Sequence, residues 1–280
     1  MNNFRVISWE ELACGNECFF SEDTAVTIGG FDGPHRGHNE LFNIVLKKAN
    51  KTGLKPGIIT FFVPPAAVKN SEYSGNVSTL RLRLKKFSES GFQFIILIDF
   101  SASFAKIDGT AFFDILVKTI RLKYLAVGDD FYCGYRRGLG VESLKKLAPQ
   151  MGFCFDSIRS VSTNDGFRVS STSIREAVTK GDFTLAKDLL GYPFLFDIVG
   201  PSWSVTDKNS ITVQRSFLTQ ILPPCGKYKV FLTSFKGIKK EAFLKIDEAQ
   251  VELVFTQNKE ISFNMEDLNN FDTVEFICKE

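Results

Sequence analysis

At 280 residues the chain has the size of one large domain or two ordinary ones. With 44% hydrophobic residues, 24% charged residues and only 9 Pro, it can bury a core that offsets the entropy of folding, which excludes a disordered chain. Its 34 Lys and Arg against 32 Asp and Glu leave a net charge of +2, too weak a field to hold a polyanion non-specifically, so nucleic acid is not an expected partner.

The opening Met1-Asn2-Asn3-Phe4-Arg5 carries no basic region ahead of an apolar stretch, and no later run has the length of a membrane span; a cytoplasmic protein without a membrane partner is expected. The 6 Cys (Cys14, Cys18, Cys133, Cys154, Cys225, Cys278) include no C-x-x-C pair, which suits reduced thiols and gives no metal site. The 29 Phe are expected to pack the core.

In chain order, short β-branched runs predict strands at Ala25–Gly29, Gly57–Phe62, Phe94–Ile98 and Tyr124–Val127. Between them Leu41, Ile44, Val45 and Ala49 recur at helical spacing, and Leu82–Ser90 and Gly109–Ile120 read as further helices. This alternation predicts an α/β layer around a parallel sheet. After Pro193 come Phe194–Val199, Ser210–Gln214, Lys227–Thr233, Ala242–Ile246, Val251–Phe255 and Thr273–Cys278, with only Arg215–Leu222 reading as helix. That succession predicts a small, mostly antiparallel, barrel-like β domain, giving domains of 1–193 and 194–280.

The chain's 2 His both fall in Gly29-Gly30-Phe31-Asp32-Gly33-Pro34-His35-Arg36-Gly37-His38, after the first of these strands and before a helix expected near Asn39. Glycines permit tight turns and close backbone approach, and a helix N-terminus offers unpaired N–H groups and the positive end of its dipole. Two imidazoles facing one cavity add donors for phosphate oxygens, so the segment points to handling of a nucleoside triphosphate. Competing readings are a structural histidine in an ordinary glycine turn and a metal site that lacks a third ligand nearby. A Walker loop is excluded by the missing Gly-Lys-Ser/Thr ending.

His35-Arg36-Gly37-His38 resembles the HxGH signature of nucleotidyltransferases. The longer string Thr27 to His38 resembles, more narrowly, the FAD synthetase part of the prokaryotic bifunctional riboflavin kinase/FMN adenylyltransferase family. Ser170-Ser171-Thr172-Ser173-Ile174-Arg175 resembles the family's SSTxIR signature, and Val127-Gly128-Asp129-Asp130-Phe131-Tyr132-Cys133-Gly134 its Gly-acid-Asp/Asn-Phe-x-Phe-Gly turn. The resemblance implies a Rossmann-like nucleotidyltransferase domain followed by a degenerate riboflavin-kinase-like β domain. It implies the conversion of ATP and FMN to FAD and pyrophosphate, with Mg²⁺ bridging phosphates. His35, His38 and Arg175 would be catalytic. Gly29, Gly30, Phe31, Asp32, Gly33, Ser170, Ser171, Thr172 and Asp130 would bind nucleotide, and Asp129, Asp130 and Phe131 would bind flavin. Another small-molecule nucleotidyltransferase and a non-catalytic flavin- or nucleotide-binding regulator are the alternatives.

From the residues themselves, Ser173 and Glu176 suit a capping box, and Arg175 is either an exposed arginine near a helix start or a planar fork for a phosphate pair. Asp129 and Asp130 read as a solvated turn or as ligand contacts at a strand end. Arg81, Arg83, Lys85 and Lys86 read as a solvated helix face or as a basic stretch toward phosphate. Departures from the family are Gly30 for Asn, Cys133 for the second Phe, and Thr60-Phe61-Phe62-Val63-Pro64-Pro65 for Phe-x-Pro-x-Pro. After Pro193 no Pro-Thr occurs, so the Gly-x-Pro-Thr-Ala-Asn segment of the kinase relatives is missing, although Leu222-Pro223-Pro224-Cys225-Gly226-Lys227-Tyr228 resembles their approach to a barrel strand.

Overall fold

The computed structural model describes residues 4–15, 17–69, 73–159, 162, 168–255 and 268–280. The chain divides into two compact units, Met1–Tyr73 with Arg83–Arg168, and Ser74–Leu82 with Val169–Glu280. The first unit is built on β1 (Arg5–Ser8), α1 (Trp9–Cys14), β2 (Thr24–Ile28), α2 (Arg36–Thr52), β3 (Lys55–Phe61), α3 (Pro65–Lys69), α4 (Leu80–Glu89, in this unit from Arg83 on), β4 (Phe94–Ile98), α5 (Gly109–Ile120), β5 (Leu122–Gly128), the two-residue β6 (Tyr132–Cys133) and β7 (Leu139–Gly140), α6 (Val141–Gln150) and β8 (Cys154–Ile158).

Six of these strands form one sheet in the order β1-β4-β3-β2-β5-β8, with every neighbouring pair parallel. Strand β2 is buried along its whole length, as expected of a central strand covered on both faces. Val26 and Ile28 enter one core with Phe112, Phe113, Leu116 and Ile120 of α5. Ala25 enters the other with Leu41, Phe42, Val45 and Ala49 of α2. Alternation along β5 divides it the same way, Leu125 and Val127 to the first core, Tyr124 and Ala126 to the second. The chain leaves β2 toward β3 and β4 on one side and returns at β5 on the other, so the order reverses between β2 and β5. Open α/β sheets receive ligands at the carboxyl ends of strands at such a point.

The four predicted parallel strands are present, and Phe94–Ile98 has the predicted bounds. Strands β1 and β8 lie outside the sequence reading. Both are edge strands, with one neighbour each, and are too short or too polar to carry a periodic signal.

The second unit contains α7 (Ser171–Thr179), α8 (Phe183–Leu190), β9 (Leu195–Asp197), β10 (Ser204–Asp207), β11 (Ser210–Gln214), β12 (Gly226–Ser234), β13 (Lys239–Ile246), β14 (Gln250–Phe255) and β15 (Phe271–Lys279). Its strands pair antiparallel in the order β10-β11-β14-β13-β12-β15-β9 and curl into a half-barrel. Buried Tyr228, Val230, Leu232, Leu244, Leu253 and Val274 form its core. Phe183 of α8 stacks on Phe276 at 4.6 Å, with Tyr228 edge-on to both. The expected helix at Arg215–Leu222 is reduced to a single 3-10 turn, Arg215–Phe217. The chain beyond it pairs with the Ser74–Leu82 strap instead: Asn76 N–H donates to Thr219 O at 2.9 Å and Ile221 N–H to Asn76 O at 2.8 Å. Gln220 Nε2 donates to the carbonyls of Val77 and Leu195, while Arg81 is clasped by Asp197 and Asp272.

Among the described residues no helix is long and apolar enough to cross a membrane. Gly57 on β3 faces Phe94 on β4: a Cβ at position 57 would stand 2.1 Å from the Phe94 ring, which is itself fully buried. Gly57→Ala is therefore expected to destabilise the protein by about 1–3 kcal/mol through overpacking, read as a lower urea midpoint with an unchanged slope.

Candidate active site

The histidine segment leaves the carboxyl end of β2, and the Asp129–Phe131 turn leaves the carboxyl end of β5 beside it. Helix α2 begins at Arg36, not near Asn39, so His35 is its N-cap and His38 lies in its first turn. The two residues cap each other. His38 N–H donates to His35 Nδ1 at 3.3 Å, and His35 N–H donates to His38 Nδ1 at 3.4 Å. This reciprocal arrangement has the form of a capping box with imidazoles in place of hydroxyl and carboxylate.

Its chemical consequence concerns tautomers. A ring nitrogen that accepts a hydrogen bond bears no proton, so each neutral imidazole carries its proton on Nε2 and keeps that N–H as a donor. The rings stack at 3.6 Å and 17°, a separation at which two imidazolium charges would repel strongly. Burial pulls the His35 pKa down to about 4, and burial together with neighbouring His35 holds His38 well below the ordinary value of 6.5. The pair is thus built to remain neutral and donate.

The loop between β2 and α2 is as specific as its glycines suggest. A Cβ at Gly29 would stand 2.7 Å from the Phe31 ring, and Gly33 has φ +61. Phe31 itself takes φ +43, with its ring buried edge-on to His38 at 5.0 Å and to Phe42 at 5.1 Å. Gly30 is different: a Cβ there would meet only Pro65 Cδ, at 3.9 Å, and its φ is not in the left-handed region. The departure from Asn therefore removes a side chain that the backbone tolerates. Asp32 is buried and accepts from the Tyr73 hydroxyl at 3.2 Å.

The basic stretch 81–86 does not form one solvated or phosphate-facing surface. Arg81 is spent on Asp197 and Asp272, while Arg83 is 1% exposed and donates to the carbonyls of Gly30, Phe61 and Phe62 at 3.3, 3.0 and 2.8 Å. Thr60 Oγ1 also donates to Gly30 O, at 3.2 Å. Sequence reasoning missed Arg83, Thr60 and Tyr73 as supports of the loop. Apart from a polar residue in an otherwise apolar strand at Thr60, no local pattern distinguishes them.

Asp129 N–H donates to Ile158 O, Phe131 N–H to Gly128 O, and the exposed Asp130 pairs with Arg168 at 2.7 Å. Phe131 and Cys133 pack partly buried against the core shared with α5. Burial, with Asp108 nearby, pushes the Cys133 thiol up to about 12, so it acts as a small apolar group where the family has Phe.

The Ser170–Arg175 segment belongs to the second unit. Its N-cap is Ser170, whose Oγ accepts from Ser173 N–H at 3.1 Å and shares a hydrogen bond with Ser173 Oγ at 2.7 Å. The Ser173–Glu176 capping box is therefore not formed; the helix starts three residues earlier than that pairing requires, at Ser171. Ser171 is half-buried and Thr172 exposed, both in the first turn. Arg175 Nε donates to Gly75 O at 2.9 Å, which sets the plane of the guanidinium.

Among known proteins, the FAD synthetase family model matches residues 19–173. The bifunctional riboflavin kinase/FMN adenylyltransferase of Escherichia coli (strain K12) is 34% identical over 175 residues, covering 62% of this chain and 56% of the relative. That of Haemophilus influenzae (strain ATCC 51907 / DSM 11121 / KW20 / Rd) is 32% identical over 174 residues, 61% of this chain and 56% of the relative. The matched region thus spans little more than half the length of these relatives. A crystal structure described as a macrolide-efflux protein from Streptococcus pneumoniae aligns with a TM-score of 0.81 at 22% identity, over 98% of this chain and 90% of that one, a likeness of fold. With a match across more than half of its residues, and with the glycine loop and capped histidine pair in place, the chain belongs to the FAD synthetase family.

Proposed function

We propose that the protein is an FMN adenylyltransferase. An oxygen of the FMN phosphate attacks the α-phosphorus of ATP in line, one P–O bond forms, the bond to the β-phosphate oxygen breaks, and FAD and pyrophosphate result. The observation that carries this reading is the neutral, mutually capped pair His35 and His38 in a glycine loop at the carboxyl end of a central parallel strand. Such a pair is suited to stabilising charge on phosphate oxygens as the bond order shifts, without acting as nucleophile or base.

In this proposal the Nε2–H groups of His38 and His35 donate to the α-phosphate and to the departing pyrophosphate. Gly29, Gly30, Phe31, Asp32 and Gly33 line the nucleotide with backbone. Ser170, Ser171, Thr172 and Arg175 serve the β- and γ-phosphates, a fork being suited to a phosphate pair. Asp129, Asp130 and Phe131 serve the flavin, with Asp130 also beside the nucleotide. A Mg²⁺ ion carried in on the phosphates would neutralise their charge while keeping most of its waters. Residues 1–193 then form the nucleotidyltransferase domain and 194–280 a degenerate riboflavin-kinase-like domain. ATP and FMN are the partners, in the cytoplasm.

Incubation of the protein with ATP, Mg²⁺ and FMN, followed by chromatography, is expected to give FAD; riboflavin in place of FMN is expected to give no FMN above background. Absence of FAD would remove the adenylyltransferase reading, and stoichiometric FMN from riboflavin would show a kinase site made of other residues. His38→Ala is expected to lower kcat by about a hundredfold to a thousandfold with the fold intact, measured by initial rates and circular dichroism.

The histidine pair also sets a pH dependence. Because the folded His35 titrates at about 4, below the ordinary 6.5, the unfolded chain binds more protons between these values. The stability from a neutral pair is fully present above about 6.5 and is lost as pH falls toward about 4. The melting temperature should decline over that window. With only 2 His in the chain, ring NMR signals report on each directly, and both are expected in the Nε2–H form at pH 6; a midpoint near 6.5 for either ring would contradict the caps.

A further inference from the structure

Arg83 is a buried cation that donates to uncharged carbonyls: Nη1 to Gly30 O and Phe61 O, Nη2 to Phe62 O. Its Nε is buried with no hydrogen-bond partner. Burial penalises the charged guanidinium more than nearby Asp32 offsets it, and an apolar side chain of the same length would fill the space without that desolvation. What the cation supplies instead is direction. Two donors, Arg83 Nη1 and Thr60 Oγ1, converge on the carbonyl oxygen of Gly30.

A trans peptide is planar, with its C=O and N–H pointing in opposite directions. Turning the Gly30 carbonyl toward Arg83 and Thr60 therefore turns the Phe31 N–H the other way, and that N–H has no acceptor among the described residues. The positive φ of Phe31, +43, is the backbone cost of this orientation in a residue with a side chain, and its ring is locked in the core against Phe42, Phe87 and His38. Phe61 and Phe62, whose carbonyls Arg83 also holds, bring the end of β3 into the same arrangement.

We infer that Arg83 is a positioning residue of the nucleotide loop: by holding the Gly30 carbonyl inward it presents the Phe31 amide to a phosphate oxygen of ATP and fixes the Phe31 ring against His38. The inference rests on the reading of this loop as a phosphate site. A charge-assisted bond from an oriented amide corresponds to about a tenfold to hundredfold difference in affinity.

The test uses the full chain with Arg83→Met, Arg83→Lys and Thr60→Val. Two quantities are read: the Kd values for ATP and for FMN by calorimetry, and the ligand-free NMR shift of the His38 ring, which senses the Phe31 ring beside it. Expected for Arg83→Met is an ATP Kd raised about tenfold or more, an FMN Kd within about twofold of wild type, and a displaced His38 signal. Arg83→Lys keeps the charge without the fork and is expected to recover only part of both. Should the Arg83 variants fail to fold, Thr60→Val, which removes the second donor to the same carbonyl, is expected to weaken ATP several-fold and shift His38 in the same sense. A folded Arg83→Met, or Thr60→Val in its place, with wild-type ATP affinity and an unmoved His38 signal would overturn the inference. If wild type itself binds no ATP, the phosphate reading fails, and the His38 shift still decides whether Arg83 positions the loop.

Discussion

Two imidazoles stacked 3.6 Å apart can share one helix start only if neither carries a proton on both nitrogens. Most of the first unit's local design follows from meeting that condition. Burial removes the solvation that would favour the charged form, and the backbone amides of the first helical turn occupy both Nδ1 atoms. Phe31 closes one side of the pair with an aromatic edge, which is possible because Gly29 leaves room for its ring. The loop must in turn be held in a conformation that a free chain would not favour, and Arg83, Thr60 and the end of β3 hold it.

The parallel layer was legible in the sequence because its central strands are continuous apolar runs and its helices repeat Leu41, Val45 and Ala49 on one face. The histidine loop was legible for a different reason: two rare residues and several glycines stand together. What was not legible depends on distance along the chain. Arg83 meets Gly30 from 53 residues away, and Arg81 meets Asp197 from 116. In the sequence both arginines belong to one basic run, and nothing in that run tells that one neutralises two carboxylates while its neighbour is sealed among carbonyls. The helix expected at Arg215–Leu222 shows the opposite error: a locally plausible helix gives way to pairing with a strap far upstream.

The departures from the family have separate physical meanings. A Cβ at Gly30 would make only an ordinary contact with Pro65, so the fold of the loop does not require glycine there. Cys133 substitutes one apolar packing group for another. In the second unit, the core is specified by alternating inward residues and aromatic stacking around Tyr228 and Phe276, none of which needs the Pro-Thr segment of kinase relatives. A half-barrel of this kind is specified by its own packing.

The strap Ser74–Leu82 joins this half-barrel from a distant part of the sequence. It is encoded inside the nucleotidyltransferase sequence, yet its Arg81 is neutralised by Asp197 and Asp272, and its Val77 carbonyl is held by Gln220. A lineage that discarded the half-barrel would strip a half-buried arginine of both its counter-charges in the same event. The strap and the half-barrel are therefore held to a common inheritance by charge pairing within the second unit, although the strap is encoded between segments of the first.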